Sequence, residues 1–285
     1  MEEIRKILCA TERGGPYGDA VRDAEAIAAA HGAETCFVAV APDEPAAPLL
    51  KRAETWGADL LVLEGTKPEA RETRLVDAVV RHASCPVLVV RRSPPNGHVV
   101  VASDLVDPSL PAVATGVEEA RRRHGRVLLV HNVDTKLASL GWGVLTTLMH
   151  AAASGLLTGA EESARHRMED ALSRFGARGE TLVAHGAPAA AVLRLAVTLP
   201  AELLVIGTPG EGSLKTMHFG SVVETVVHWA PCSVLVVPVG MRSEAGRARG
   251  PHVEGLLERE AGAAERSLVE ETADQRYPVG HAPRR

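Results

Sequence analysis

Short apolar runs alternate with longer segments of helical periodicity over most of this 285-residue chain. The apolar runs are continuous rather than alternating with polar residues, which is typical of strands buried on both faces of a parallel sheet. In the second half of the chain the runs predict strands at Val99–Ala102, Val127–Asn132, Thr181–His185, Leu203–Ile206 and Val234–Val237. The segments between them predict helices near Ser109–Arg123, Ala160–Phe175, Pro188–Thr198 and Ser221–Trp229. The second half is therefore predicted to be a five-stranded α/β domain.

The same pattern occurs twice in the chain, and matching sequences mark the repeat. The segment Ala58–Gly65 (ADLLVLEG) recurs as Ala201–Thr208 (AELLVIGT), and Val79–Val90 recurs as Val226–Val237. Self-similarity of this kind indicates a duplicated structural unit. We therefore predict two tandem Rossmann-like α/β domains, each built on a parallel sheet.

The first copy is shorter than the second. Its strand at Thr35–Val40 leads through a proline-rich stretch into a helix near Leu49–Trp56 and then into a strand at Leu60–Leu63. One strand and one helix of the second copy have no counterpart here. The first domain is therefore predicted to be truncated.

The turn-forming sequence Ser93-Pro-Pro-Asn-Gly separates the two copies. It gives predicted domains at 1–93 and 97–240. The remaining residues, 241–285, carry eight acidic and eight basic side chains and only one weakly amphipathic stretch. We expect a weakly helical or disordered tail there.

Composition excludes several classes of function. Apolar residues make up 46% of the chain, aromatic residues only 3%, and the net charge is −5, so no basic surface for nucleic acid is expected. The four cysteines share no short spacing with one another or with histidines, which argues against a zinc site or a disulfide framework. The chain opens on a short strand-like run rather than a signal peptide, and we predict a cytoplasmic protein.

The segment Leu137–Ala160 has no charged residue and is long enough to cross a bilayer. Its glycines, hydroxyl side chains and histidine disfavour a membrane span, and the sequence around it is hydrophilic. We predict a mobile or partner-facing segment of the second domain, and no membrane partner.

The candidate chemistry lies in a glycine-rich segment between the strand Leu203–Ile206 and the helix that begins at Ser221. Glycines at the carboxyl end of a parallel strand let main-chain amides approach a phosphate, and the following helix directs free N–H groups towards the same anion. The alternative is a simple turn, with Ser221 and Glu224 forming a capping box for their own helix. The spacing matches neither a Walker loop nor the dinucleotide fingerprint.

The full pattern, Gly207-x2-Gly210-x9-Gly220-Ser221 followed by a helix and Pro231-Cys-Ser-Val-Leu-Val-Val, resembles the ATP-binding signature of the universal stress protein family. The resemblance extends over residues 99–238. It implies the strand order 3-2-1-4-5 in the second domain.

The resemblance also implies the ligand: ATP, AMP or another adenine nucleotide, with or without Mg²⁺. The implied contacts to the base and ribose come from Ala102, Ser103, Asp104, Asn132 and Ile206. The implied contacts to the ribose and phosphates come from Gly207, Gly210, Gly220, Ser221, Val222 and Val223. Asn132 and Val223 depart from the valine and the hydroxyl residue frequent at these positions, which we expect to weaken binding rather than abolish it. For Asp104 the alternative is a turn carboxylate before the next helix.

No catalytic triad or metal cluster is evident, and Ser221 has no identifiable base beside it. The resemblance therefore implies a regulatory stress-response protein rather than an enzyme, with at most slow ATP hydrolysis or autophosphorylation. A nucleotide-free scaffold of the same fold and a true ATP-using enzyme are the alternatives.

The first copy lacks the pattern, because its loop is shorter and places Thr73 and Arg74 where Gly220 and Ser221 stand in the second. We expect no nucleotide site there. An anion site formed by Lys67, Arg71 and Arg74 is the alternative.

The final strands of both copies, Val87–Val90 and Val234–Val237, are apolar and are predicted to lie at sheet edges, where they invite pairing. In the family the last strand mediates dimerisation. The resemblance therefore implies an intramolecular pseudo-dimer of the two domains, and a homodimer of whole chains is left open.

Overall fold

The computed structural model describes residues 4–12, 18–41, 44–65, 74–93, 97–105, 110–133, 146–199, 201–208 and 221–238. The first half contains β1 (Lys6–Glu12), α1 (Asp19–His31), β2 (Glu34–Val40), α2 (Ala46–Trp56), β3 (Leu60–Glu64), α3 (Arg74–His82) and β4 (Val87–Val90). The second half contains β5 (His98–Ala102), α4 (Pro111–Arg122), β6 (Arg126–Val133), α5 (Thr146–Arg174), β7 (Glu180–His185), α6 (Pro188–Thr198), β8 (Leu203–Gly207), α7 (Ser221–Trp229) and β9 (Ser233–Val237).

The nine described strands form one sheet in the order β2-β1-β3-β4-β9-β8-β5-β6-β7. The second half contributes β7-β6-β5-β8-β9, which is the predicted order 3-2-1-4-5 when its strands are numbered from its own first. Strands are parallel within each half. Among the described residues the first half lacks a counterpart of α5 and β7, as predicted for a truncated copy.

Helices cover both faces of the sheet. One core includes residues of α2, α3, α6 and α7, and the other includes residues of α1, α4 and α5. Each core contains residues from both halves, for example Leu61 and Leu204 on one face and Val62 and Val205 on the other. The continuous apolar strands are therefore explained by burial on both faces.

Two predicted helix starts were wrong. Helix α2 begins at Ala46 rather than Leu49, because Pro48 falls in the first turn, where a missing N–H costs nothing. Helix α5 begins at Thr146 rather than Ala160, so much of the uncharged segment is helical. Its alanines, leucines and methionine favour a helix without giving the amphipathic periodicity used for the prediction.

The two halves meet through β4 and β9, which pair antiparallel with Val87 opposite Val236, Leu88 opposite Leu235 and Val89 opposite Val234. Ser233 strengthens this seam, since its main-chain N–H donates to Ser93 Oγ at 3.0 Å and its hydroxyl donates to the Arg91 carbonyl at 2.9 Å. The two final strands that were predicted to lie at sheet edges, β4 and β9, therefore cover each other.

Helices α3 and α7 also meet across the seam. His228 Nε2 lies 3.2 Å from Asp77 Oδ1, and Arg81 Nη2 lies 3.9 Å from Glu224 Oε2. In the repeat Arg81 corresponds to His228 and Asp77 to Glu224, so the two contacts are related by the internal symmetry. In the described part of the chain no helix is long and apolar enough to cross a membrane.

Candidate functional site

Three strand ends lie side by side at the carboxyl edge of the second half. Ala102, the last residue of β5, is in register with Val130 of β6 on one side and Ile206 of β8 on the other. From β5 the chain crosses to β6, while β8 lies on the opposite side, so the strand order reverses between β5 and β8. Open parallel sheets bind ligands at this kind of crevice. The structure thus brings together Ala102 and Ile206, two of the residues selected from sequence.

Ser103 is held in place by three hydrogen bonds as the chain leaves β5. Its N–H donates to the Val130 carbonyl at 3.1 Å, its hydroxyl accepts the Leu105 N–H at 3.1 Å, and its carbonyl bonds His131 Nδ1 at 2.9 Å. Since a carbonyl only accepts, His131 donates through Nδ1. Asp104, the next residue, is exposed at this edge. The turn therefore presents a carboxylate on a rigid main chain.

Two leucines beyond this turn have left-handed backbone conformations, with φ of 56° at Leu105 and 48° at Leu110. Such angles cost roughly 1 kcal/mol or more per non-glycine residue. Leu110 is buried and Leu105 packs against the same core, so side-chain burial holds the strained backbone. Strain of this kind concentrates at functional sites, and no sequence pattern predicted it here.

Asn132, near the carboxyl end of β6, has one satisfied and one unsatisfied polar atom. Its Nδ2 donates to the Gly186 carbonyl at 3.2 Å, which fixes the orientation of the amide. Its Oδ1 is buried and has no hydrogen-bond partner among the described residues. Buried acceptors are normally satisfied, so this unsatisfied oxygen is an exception that calls for an explanation.

The predicted phosphate-binding residues are only partly within the described structure. Gly207 is the last residue of β8, one residue beyond the predicted strand end at Ile206, and Ser221 is the first residue of α7, as predicted. Val223 is 2% exposed and belongs to the core, so its side chain faces away from a ligand. Val222 is half-buried at the start of the same helix. Gly210 and Gly220 lie outside the described residues.

The first half has a different residue at the equivalent of Gly207. Leu63 of β3 is in register with Ala10 of β1 just as Ile206 is with Ala102, so Glu64 occupies the position of Gly207. Glu64 Oε2 accepts the Ala20 N–H at 2.9 Å, at the first turn of α1. The chain's own carboxylate therefore occupies a helix N-terminus at this edge. Sequence reasoning missed this contact, although the glycine-to-glutamate difference is visible in the repeat. Lys67 and Arg71, the alternative anion site, lie outside the described residues.

Three of the four cysteine thiols are buried and inert. Burial raises the pKa of the Cys9, Cys85 and Cys232 thiols to about 12, which keeps them protonated and inert. All four cysteines are free thiols. Within the described ranges no group of three or more His, Cys, Asp or Glu side chains is placed to hold a metal ion.

Two cavities lie away from the carboxyl ends of β5 and β8. One, of about 530 Å³, lies between α1 and the end of α4 and is lined by Asp23, Arg123 and Glu202 among others. Burial raises the pKa of Asp23 there, partly offset by Arg123 and Arg122. The other, of about 680 Å³, lies between β2 and α2. Neither was anticipated from the sequence.

Solved structures with the same architecture cover nearly the whole chain. A functionally unknown protein, PA1789, from Pseudomonas aeruginosa PAO1 aligns over 90% of this chain and 98% of its own, with a TM-score of 0.62 and 18% identity. A putative universal stress protein from Pseudomonas aeruginosa UCBPP-PA14 aligns over 82% of this chain and 93% of its own, with a TM-score of 0.61 and 18% identity. At these identities the likeness establishes the fold.

Sequence comparison identifies the family. A universal stress protein from Thermus aquaticus, from the 3′ region of a sulfhydrylase gene, is 30% identical over 147 residues, which is 49% of this chain and 96% of the relative. The universal stress protein MJ0531 of Methanocaldococcus jannaschii is 28% identical over 144 residues, 49% of this chain and 80% of the relative. The model of the universal stress protein family matches residues 19–91 and again 95–238. Because the two matches cover most of the chain, it belongs to the universal stress protein family in a tandem form.

Proposed function

We propose that the second half binds one adenine nucleotide, with ATP as the first candidate, and that the protein acts as a regulatory stress-response protein rather than as an enzyme. The observation that carries this proposal is the buried Asn132 Oδ1, which has no hydrogen-bond partner among the described residues and belongs to β6, the strand next to β5. An acceptor in that position suits a base with an exocyclic amine. Asp104 is positioned for the ribose, and Gly207 with the start of α7 for the phosphates.

Base recognition follows from the chemistry of the amide. Nδ2 is committed to the Gly186 carbonyl, so Oδ1 is the atom left to face a ligand, and it can only accept. Adenine donates through its amine, whereas hypoxanthine has a carbonyl at that position and would leave Oδ1 unsatisfied. An unsatisfied buried polar group costs about 1–3 kcal/mol, so ATP should bind about tenfold or more tightly than inosine triphosphate.

Helix α5 supports a regulatory output. Of its residues from Gly159 onward, the apolar ones that are buried fall within Ala164–Leu172, while the helix starts at Thr146. It runs antiparallel to β6 and β7, so the part before Ala160 reaches beyond the carboxyl edge, where the nucleotide would bind. We propose that nucleotide binding changes the pose of this uncharged part of the chain and so its availability to a partner.

The remaining assignments are part of the same proposal. The antiparallel β4–β9 pairing and the symmetric side-chain contacts across it support a pseudo-dimer of the two halves within one chain. The free thiols support a reducing compartment, the cytoplasm. Mg²⁺ would accompany the phosphates without a dedicated protein cage, as is usual for this ion.

Two substitutions that exchange the residues at the equivalent positions 64 and 207 test nucleotide binding. Nucleotide released from the purified chain is identified by mass spectrometry, and the emptied protein is titrated with ATP and inosine triphosphate by calorimetry. Gly207→Glu places the carboxylate of the first half in the second and should abolish binding. Glu64→Gly is the matched control and should leave one nucleotide per chain.

The outcomes separate the candidate functions. One adenine nucleotide per chain, lost in Gly207→Glu but not in Glu64→Gly, would support the proposal. No bound nucleotide and no heat with the wild type would favour the nucleotide-free scaffold. Equal affinity for ATP and inosine triphosphate would remove Asn132 from base recognition, and turnover near 10 per second would identify an enzyme.

A further inference from the structure

Strand β2 lies at the outer edge of the first half. Within the described residues it pairs with β1 alone. Its counterpart in the second half, β6, is paired with β5 on one side and β7 on the other. Strand β2 therefore corresponds to a strand that lies inside the sheet in the second half. It lies at the edge in the first half because, among the described residues, that half has no counterpart of β7.

The free main-chain groups of β2 can be identified from its pairing with β1. The Glu34 N–H donates to the Arg5 carbonyl at 2.8 Å, and Val38 accepts the Thr11 hydroxyl at 3.5 Å. Main-chain groups of successive residues in a strand point to opposite sides. The N–H and carbonyl groups of Thr35, Phe37 and Ala39 therefore point outward, away from β1.

This edge lacks the usual protection against pairing. From Thr35 to Ala39 the strand contains no charged residue, proline or glycine, the devices that normally discourage edge-to-edge contact. Phe37 is 42% exposed, and its side chain lies on the face that α5 covers in the other half. On the opposite face, Val38 and Val40 border the cavity of about 680 Å³ beneath α2.

We propose that β2 pairs antiparallel with β2 of a second copy of this chain, with the two-fold axis at Phe37. In that register Phe37 lies opposite Phe37 of the second copy, and Thr35 lies opposite Ala39. All three are residues whose main-chain groups point outward, so each opposed pair exchanges two hydrogen bonds, about six in total. The two phenyl rings lie side by side on one face, where cross-strand aromatic pairs are stabilising.

A second copy fits this edge because the strand is complementary to itself. The same two-fold places Cys36 opposite Val38 of the second copy and keeps the two Glu34 carboxylates at opposite ends of the pair. The chain already uses this mode of contact once, in the antiparallel β4–β9 pairing between its halves. A seven-residue strand with one aromatic side chain buries less than the roughly 800 Å² per partner of a standard interface. We therefore expect a weak dimer with a dissociation constant of about micromolar magnitude.

Sedimentation equilibrium of the full chain over roughly 1–200 μM brackets that affinity. Ala39→Pro removes an outward-pointing N–H from each copy without touching the β1 ladder, and proline is tolerated on edge strands. Phe37→Lys places two ammonium groups opposite each other. Each variant should raise the dissociation constant at least about tenfold. Ala39→Thr and Phe37→Tyr are matched controls that retain the main-chain donors and the aromatic pair.

Hydrogen exchange of β2 provides a second measurement, because the amides of Thr35, Phe37 and Ala39 should become protected as protein concentration rises. A monomer at every concentration would overturn the proposal, as would a dimer unaffected by both Ala39→Pro and Phe37→Lys. Protection that is independent of concentration in a monomer would show that another segment of the same chain covers the edge, which also overturns it. None of these measurements depends on nucleotide binding, so the two proposals fail separately.

Discussion

Replacing Glu119 with glutamine is expected to lower the free energy of unfolding by about 3 kcal/mol at neutral pH. Glu119 is 4% exposed on α4 and accepts hydrogen bonds from two guanidinium groups. Arg122 Nη2 lies 2.6 Å from Glu119 Oε2, and Arg123 Nε lies 3.3 Å from the same oxygen. Removing one member of a buried ion pair costs more than the pair itself contributes, because the remaining charge is left in a poorly solvated position.

The size of the expected loss in the free energy of unfolding follows from the burial of Glu119, Arg122 and Arg123. The side chains of Arg122 and Arg123 are 20% and 13% exposed, so water replaces the lost carboxylate poorly. Arg123 keeps a second partner, Glu202, which holds the expected loss near the lower end of the usual 3–5 kcal/mol. In a chain of this size that loss corresponds to a drop in Tm of roughly 6–12 °C.

The pH dependence gives the experiment a second readout. Burial tends to raise the pKa of Glu119, but the hydrogen bonds and charges of Arg122 and Arg123 outweigh it and hold the pKa below the ordinary value of 4.5. Because the folded-state pKa is depressed, the stabilisation is fully present above 4.5 and is lost as the pH falls through the lower folded value. The difference in stability between wild type and Glu119→Gln should therefore be constant near pH 7 and narrow in acid.

Urea unfolding followed by circular dichroism at several pH values measures this difference. Glu118→Gln is the matched control, since Glu118 is the neighbouring residue, is 45% exposed and lies 3.8 Å from Arg121. An exposed pair of this kind contributes about 0–1 kcal/mol. Equal losses in the two variants, or a difference that does not narrow in acid, would refute the reasoning.

Two further predictions concern packing and thiol chemistry. Gly125→Ala should destabilise the protein by about 2 kcal/mol or more in thermal unfolding, because its added Cβ would lie within van der Waals overlap of the Gly97 carbonyl oxygen. Gly159→Ala should be neutral or stabilising by up to about 1 kcal/mol, because a Cβ there meets nothing within 4 Å and alanine favours a helix; a loss as large as that of Gly125→Ala would contradict this account. With a thiol reagent at pH 8, only Cys36 should react in the native protein, since burial raises the pKa of the other three thiols to about 12; native-state labelling of all four would contradict their burial.

The fold could be predicted from the sequence because its strands are continuous apolar runs and occur twice. The bounds of β4 and α6 were predicted to the residue from this pattern. The order of strands in the second half was implied by the family resemblance. The starts of α2 and α5 were predicted wrongly, because neither is marked by a change in the periodicity of apolar residues. Pro48 is harmless in a first turn, and the uncharged segment before Ala160 forms a helix without an amphipathic stripe.

The candidate site was predictable only where it follows from topology. Ala102 and Ile206 are neighbours because the ends of adjacent parallel strands must meet at one edge. The bond from Asn132 to Gly186 depends on the path of a turn, and a local sequence pattern carries no information about it. The left-handed Leu105 was likewise hidden, because its conformation is maintained by distant packing rather than by residue preference.

The two halves differ at positions that do not contribute to the shared cores. The first half, which lacks the nucleotide pattern, still contributes to those cores and to the sheet. Residues of β3 and β8 that face the cores remain apolar in both halves, because each core extends across the seam and a polar residue there would destabilise both. Glu64 and Gly207 lie one residue beyond those buried positions, at the carboxyl edge, where a change alters chemistry without altering packing. The first half still covers β9 through β4, and an apolar β9 without that cover would be an exposed edge prone to association. Its structural contribution therefore constrains β4 and the cores, while its carboxyl edge is free to diverge.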